Sequence, residues 1–117
     1  MNINKRKSGE ITILDLEGKL LIGNDVGYFR DIFNTLISGG ETSIILNFKD
    51  LKMMDSTGLG ELTRSFTTAK NNGGVVKLLN MTSKIKDLLF ITKLITNNVS
   101  DFNSDLFMFY PIYIGKC

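Results

Sequence analysis

The sequence predicts a single α/β domain: a mixed, mostly parallel β-sheet opened by an N-terminal hairpin, with α-helices packed against it. Three observations carry that prediction. From Asn24 onward, short apolar runs suited to strands alternate with amphipathic stretches at helical spacing, a pattern that implies right-handed βαβ crossovers and parallel pairing. A period-2 segment with a glycine turn comes before them and adds an antiparallel pair. The chain has 117 residues, 43% hydrophobic and 22% charged, which is the size and composition of one domain with one core, residues 1–117.

Taken in order, Ile11, Ile13 and Leu16 alternate with Thr12 and Asp15, as a half-buried strand requires. Glu17-Gly18-Lys19 then reads as a turn into a second strand at residues 20–22. Asn24 or Asp25 is placed to cap a helix that carries Val26, Phe29, Phe33 and Leu36 on one face and stops at Gly39-Gly40. Residues 43–48 have few polar breaks and read as a strand buried on both faces. Leu59, Leu62, Phe66 and Ala69 form the stripe of a second helix, and residues 75–79 form another strand. Thr82 or Ser83 caps a third helix with Ile85, Leu88 and Leu89 on one face. Two readings stand for the tail: a strand near Val99 with a helix from Asp101 or Ser104, or a strand-like run over residues 106–114. The order is β-β-α-β-α-β-α with that end left open.

Composition excludes much chemistry. There is no histidine, so Ser-His-Asp and Cys-His nucleophiles, HExxH zinc sites and histidine bases are all absent. The one cysteine, Cys117, allows neither an internal disulfide nor a cysteine metal cage. Fourteen Lys+Arg against 12 Asp+Glu give a net charge of +2, which argues for neither a nucleic-acid nor a membrane partner. Residues 1–10 are polar and do not read as a signal peptide, and no apolar run is long enough to span a bilayer. The expectation is a cytoplasmic protein without a cofactor or a resident metal. Asp15, Glu17 and Asp50 are dispersed over a strand, a turn and a loop and read as ordinary turn chemistry.

One stretch looks like a site. Residues 49–60 join the 43–48 strand to the second helix, and Asp55-Ser56-Thr57-Gly58 sets a carboxylate and two hydroxyls where that helix begins. Helix N-termini carry unpaired N–H groups and a positive dipole end, so negative charge is favoured there. The segment suits a bound anion or a phosphate attached to the chain, although Asp, Ser and Thr also serve as plain helix caps. Gly58 and Gly60 allow close backbone approach. Of Met53 and Met54, one reads as core and the other as an adaptable exposed contact. Lys49, Lys52 and Arg64 read as solvated cations, Arg64 with Glu61 as an i,i+3 pair, rather than as a basic rim around Ser56. Phosphate loops of the GxGxxG and GxxxxGK[ST] types are excluded by the residues themselves.

Asp55-Ser56-Thr57-Gly58-Leu59-Gly60, preceded by Ile45-Leu46-Asn47-Phe48-Lys49-Asp50-Leu51, resembles the signature of the anti-sigma-factor antagonist family, whose fold is the STAS domain. The resemblance extends over about residues 8–102. It includes the approach to the first helix at residues 18–27, Gly73-Gly74 with the following strand, and Asp87-Leu88-Leu89 with Ile91-Thr92-Lys93-Leu94. It implies a non-enzymatic switch. Ser56 would accept phosphate from a serine kinase that is also the anti-sigma factor, and a serine phosphatase would remove it. The unphosphorylated protein would bind that kinase and release the sigma factor. Asp55, Thr57, Gly58, Leu59, Gly60 and Met54 are the partner-contacting residues on this reading. The tail departs from the family pattern, because Phe107, Phe109, Tyr110, Ile112 and Tyr113 crowd a segment that is usually charged. It is expected to cover the chain's own core, the alternative being an apolar patch that a second copy covers in a homodimer. Other functions weighed are a scaffold subunit of a larger STAS-containing signalling complex, a phospho-aspartate receiver and a nucleotide-binding domain. The receiver lacks a clearly placed acidic pair and lysine, and the opening hairpin argues against it. The nucleotide reading lacks a phosphate-loop lysine.

Overall fold

Alternation along the strands decides which face of the sheet is covered. In strand β2 (Ile11–Leu20), Thr12, Leu14, Leu16 and Leu20 are buried while Ile13, Asp15 and Glu17 look the other way. Strand β3 (Ser43–Met54) buries Ile44, Leu46, Phe48, Leu51 and Met54, and β4 (Val75–Leu79) buries Val76 and Leu78. Helix α1 (Asn24–Ser38) sends Val26, Phe29, Phe33, Leu36 and Ile37 into the core, with the Phe29 and Phe33 ring centroids 5.8 Å apart. Helix α2 (Ser56–Asn71) adds Leu59, Leu62, Phe66 and Ala69. Each such large side chain, fully buried, contributes roughly 1.5–3 kcal/mol.

This computed structural model describes residues 1–91, 107–109 and 112–115. Strand β1 (Asn2–Ser8) pairs antiparallel with β2, and β2, β3 and β4 are parallel neighbours. Helix α3 (Ser83–Ile91) follows β4, and β5 (Phe107–Phe109) and β6 (Ile112–Gly115) complete a sheet of order β1-β2-β3-β4-β6-β5. Thr82 caps α3, its hydroxyl oxygen accepting from the Ile85 N–H at 3.3 Å.

Several expectations need correction in detail. The opening hairpin is present, but its turn is Gly9-Glu10 and its first strand is the polar β1. Gly18 sits inside a continuous β2, at the register shifts opposite β3, with φ 95°. A glycine that reads as a turn is here a bulge, since both need the left-handed conformation. Neither Asn24 nor Asp25 caps α1: Gly23 occupies the cap position, and the Asp25 carboxylate instead accepts from the Leu21 N–H at 3.1 Å. Strand β3 runs on to Met54, so residues 49–54 are strand rather than loop. Of the two readings of the tail, the strand-like one agrees with the described residues, since β5 and β6 join the sheet at its edge by backbone pairing. Val99, Asp101 and Ser104 lie outside the described residues, as do the side chains of Leu88 and Leu89.

Two polar assemblies hold the layers in register. On the sheet face away from α1 and α2, Arg6 grips Asp15 through Nε and Nη2 at 2.7 and 3.1 Å. Asn47 donates to Asp15 at 2.8 Å, and Asn80, with φ 58°, donates to Asn47 at 3.1 Å. The Arg6 hydrogen bond holds the Asp15 carboxyl below its ordinary value. Between the helices, Glu61 is buried and its two oxygens are taken by Arg30 and Arg64, with N–O distances of 2.8 and 3.0 Å. The expected surface pair of Glu61 and Arg64 is therefore a buried carboxylate clamped from both helices.

Glu41, between α1 and β3, accepts from Lys7 at 2.9 Å, from the buried Thr12 hydroxyl at 2.9 Å and from Lys5 at 3.3 Å. Chiefly through Lys7, then Thr12, its carboxyl is lowered from 4.5 to about 2. A carboxyl lowered on folding stabilises the fold above its unfolded value and loses that contribution as pH falls through the folded one. Thermal melts of wild type and Glu41→Gln should therefore differ at pH 7 and converge as pH drops from 4.5 towards about 2. A difference that is constant over that range would show that these contacts are not linked to folding.

Candidate functional site

The β3–α2 junction is organised by Asp55. Its backbone is extended, at φ −99° and ψ −177°, the conformation of an N-cap residue. Carboxylate Oδ1 accepts from the Gly58 N–H at 2.8 Å, the usual capping bond three residues on. Oδ2 accepts from the Ile22 N–H, also at 2.8 Å, in the β2–α1 connection. One side chain thus joins the C-terminal ends of two parallel strands, where each gives way to its helix. The Gly58 bond, then the Ile22 bond, holds the carboxyl below its ordinary value, so Asp55 is ionised at neutral pH.

Ser56 is the first residue of α2, and its side chain and that of Thr57 are exposed. The hydroxyl lies at the positive end of a 16-residue helix, where added negative charge is favoured. Gly58 is buried beneath it. A β-carbon there would fall inside contact distance of the Leu20 carbonyl oxygen, 2.9 Å from Leu20 Cγ and 3.0 Å from Met54 Cγ. Gly58 therefore lets the first turn of α2 lie directly on the end of β2. Met54 and Leu59 are buried on the same side, whereas Gly60 is exposed.

Of the residues singled out from the sequence, Ser56, Thr57 and Gly60 share the surface. Asp55 is half-buried, and Gly58, Leu59 and Met54 support the junction from below. Met53, not Met54, is the exposed methionine, as strand alternation requires. Arg64 is committed to Glu61 and Asn34, two turns along the helix. Asp15 and Glu17 lie within β2 and Asp50 within β3, with Glu17 accepting from Asn2 at 3.2 Å. Among the described residues no group of three His, Cys, Asp or Glu is placed to hold a metal ion. The cavities lined by Ile11, Ser43, Ile45, Val75 and Lys77, and by Asn2, Arg6, Asp15 and Asn47, include no residue of the Ser56 junction. The site is an exposed hydroxyl at the first position of α2. Ile22 was not singled out from the sequence, because an apolar run after Leu20 reads as buried strand; its exposure and its bond to Asp55 appear only in the fold.

The profile of the STAS domain matches residues 2–106. A crystal structure of a candidate anti-sigma factor antagonist from Thermotoga maritima superposes with a TM-score of 0.73 at 22% identity, covering 79% of each chain. The anti-sigma factor antagonist SpoIIAA of Bacillus is similar in its unphosphorylated form, at 26% identity and TM-score 0.66, over 77% of this chain and 83% of that one. Its phosphorylated form matches at the same identity and TM-score, over 78% and 83%. No curated protein sequence matches the chain.

Gly58→Ala should destabilise the fold by about 1–3 kcal/mol, the usual cost of overpacking, measured by urea unfolding. An unchanged midpoint would mean that β2 and α2 separate freely at this point.

Proposed function

The chain belongs to the STAS-domain family, and from that membership we propose that it is an anti-sigma-factor antagonist switched by phosphorylation of Ser56. The observation that carries the reading is the Ser56 hydroxyl itself. It is exposed at the first position of α2 and sits on a junction fixed by Asp55 and Gly58. The similarity to SpoIIAA, a protein with phosphorylated and unphosphorylated forms, supports it.

The protein contributes no catalytic group on this reading. A partner serine kinase, itself the anti-sigma factor, transfers the γ-phosphoryl of ATP to Ser56 Oγ; the hydroxyl proton passes to the kinase's base and ADP leaves. A phosphatase hydrolyses the ester and restores the hydroxyl. Phosphate adds about −1.5 to −2 charges and three acceptor oxygens. The α2 N-terminus offsets part of that charge, so the fold persists. A partner surface fitted to a neutral hydroxyl meets a bulky anion beside an ionised Asp55, and the complex dissociates. Thr57 is one residue further into the helix and is the lesser acceptor. The same reading places the protein in the cytoplasm, and no helix among the described residues is long and apolar enough to cross a membrane.

Incubation with the serine-kinase anti-sigma factors of the source organism and ATP should add one phosphate at Ser56 by mass spectrometry, and none to Ser56→Ala. Ser56→Ala should retain kinase binding, while Ser56→Asp should weaken it at least about ten-fold without loss of melting temperature. Modification elsewhere, or equal binding by Ser56→Asp, would overturn the reading.

A further inference from the structure

Ile22 is 73% exposed and lies next to Asp55, whose carboxylate accepts from its N–H. At that exposure the side chain gains little from burial in its own fold. Ile22 is also not loose, because its own N–H is the one held by Asp55 Oδ2 at 2.8 Å. The carboxylate that caps the Ser56 helix therefore also fixes the backbone of the most exposed large apolar side chain among the described residues.

Gly60 supplies an independent observation. It is exposed in the interior of α2, does not have a positive φ, and a β-carbon placed on it meets nothing within 4 Å. Glycine at such a position weakens a helix relative to alanine. Among the described residues, Gly58 has a steric reason to be glycine and Gly60 has none. A reason outside the fold remains: a surface that must come close to the backbone of α2 one turn after Ser56.

We propose that Ile22 is an apolar anchor for the protein partner that handles Ser56, seated in an apolar recess of that partner while the partner's backbone or a bulky side chain lies over Gly60. The inference rests on the Ser56 reading above and specifies the chemistry of the contacting surface. The arrangement places a greasy anchor and a phosphorylatable hydroxyl on one rigid unit. Phosphate on Ser56 then opposes the desolvation that seating Ile22 requires.

The test uses the full chain with the serine-kinase anti-sigma factor that modifies Ser56, comparing wild type, Ile22→Ser and Gly60→Gln. For Ile22→Ser, KM for Ser56 phosphorylation should rise about ten-fold with kcat within about two-fold, the signature of lost binding to a still-competent acceptor. For Gly60→Gln, the melting temperature should rise, since glutamine is the better helix former, while affinity for the kinase falls by a similar factor. A merely structural role would move stability and binding together. Normal phosphorylation and binding in both variants would overturn the anchor and leave the Ser56 reading intact. A wild type that no such kinase binds or modifies would overturn both.

Discussion

The interaction on which this molecule turns is the pair of hydrogen bonds made by Asp55. Two parallel strands end side by side, and each must hand the chain to a helix whose first N–H groups lack partners. The carboxylate serves both ends, taking the Gly58 N–H of its own helix and the Ile22 N–H of the neighbouring connection. The fold thereby gains a cap and a cross-link from one side chain, and the carboxyl stays charged because both bonds favour the ionised form. Ser56 inherits a fixed position beside it. A hydroxyl on a mobile loop would carry an entropic cost of ordering, whereas this one starts a helix whose first turn is tied down by two hydrogen bonds.

The two glycines of the motif divide the work. Gly58 faces inward and lets α2 rest on the end of β2, where no β-carbon fits against Leu20. Gly60 faces outward, and among the described residues nothing lies within 4 Å of where its β-carbon would be. Motifs are often read as one unit with one purpose. In this one the inward residues, Met54, Gly58 and Leu59, hold the surface that the outward residues present.

How much of this the sequence discloses depends on whether a residue's fate is local. The stripes of α1 and α2 are legible because Phe29, Phe33, Leu62 and Phe66 repeat at helical spacing and all reach the core. Asp55 and Ser56 are legible as a helix start because capping is a matter of three residues. Strand β1 is not, because this edge strand sets only Ile3 against the core and keeps polar residues almost throughout. Gly18 misleads because a bulge and a turn ask for the same backbone angle. Residues 49–54 look like a loop because Lys49, Asp50 and Lys52 face solvent while only Leu51 and Met54 return to the core. Glu61 looks like surface, and nothing nearby in sequence announces Arg30, 31 residues earlier. The second partner of Asp55 is hidden for the same reason, since Ile22 lies 33 residues away.

The clamp on Glu61 also bears on how the domain comes apart. A carboxylate with almost no exposure is tolerable only while both guanidinium groups are in place, one from each helix. Peeling either helix away would strand a charge at a half-dismantled boundary, so partly undocked forms are driven up in free energy relative to both the native and the fully opened chain. The helix pair is therefore expected to melt as a single cooperative unit, with little room for intermediates in which α1 is seated and α2 is free.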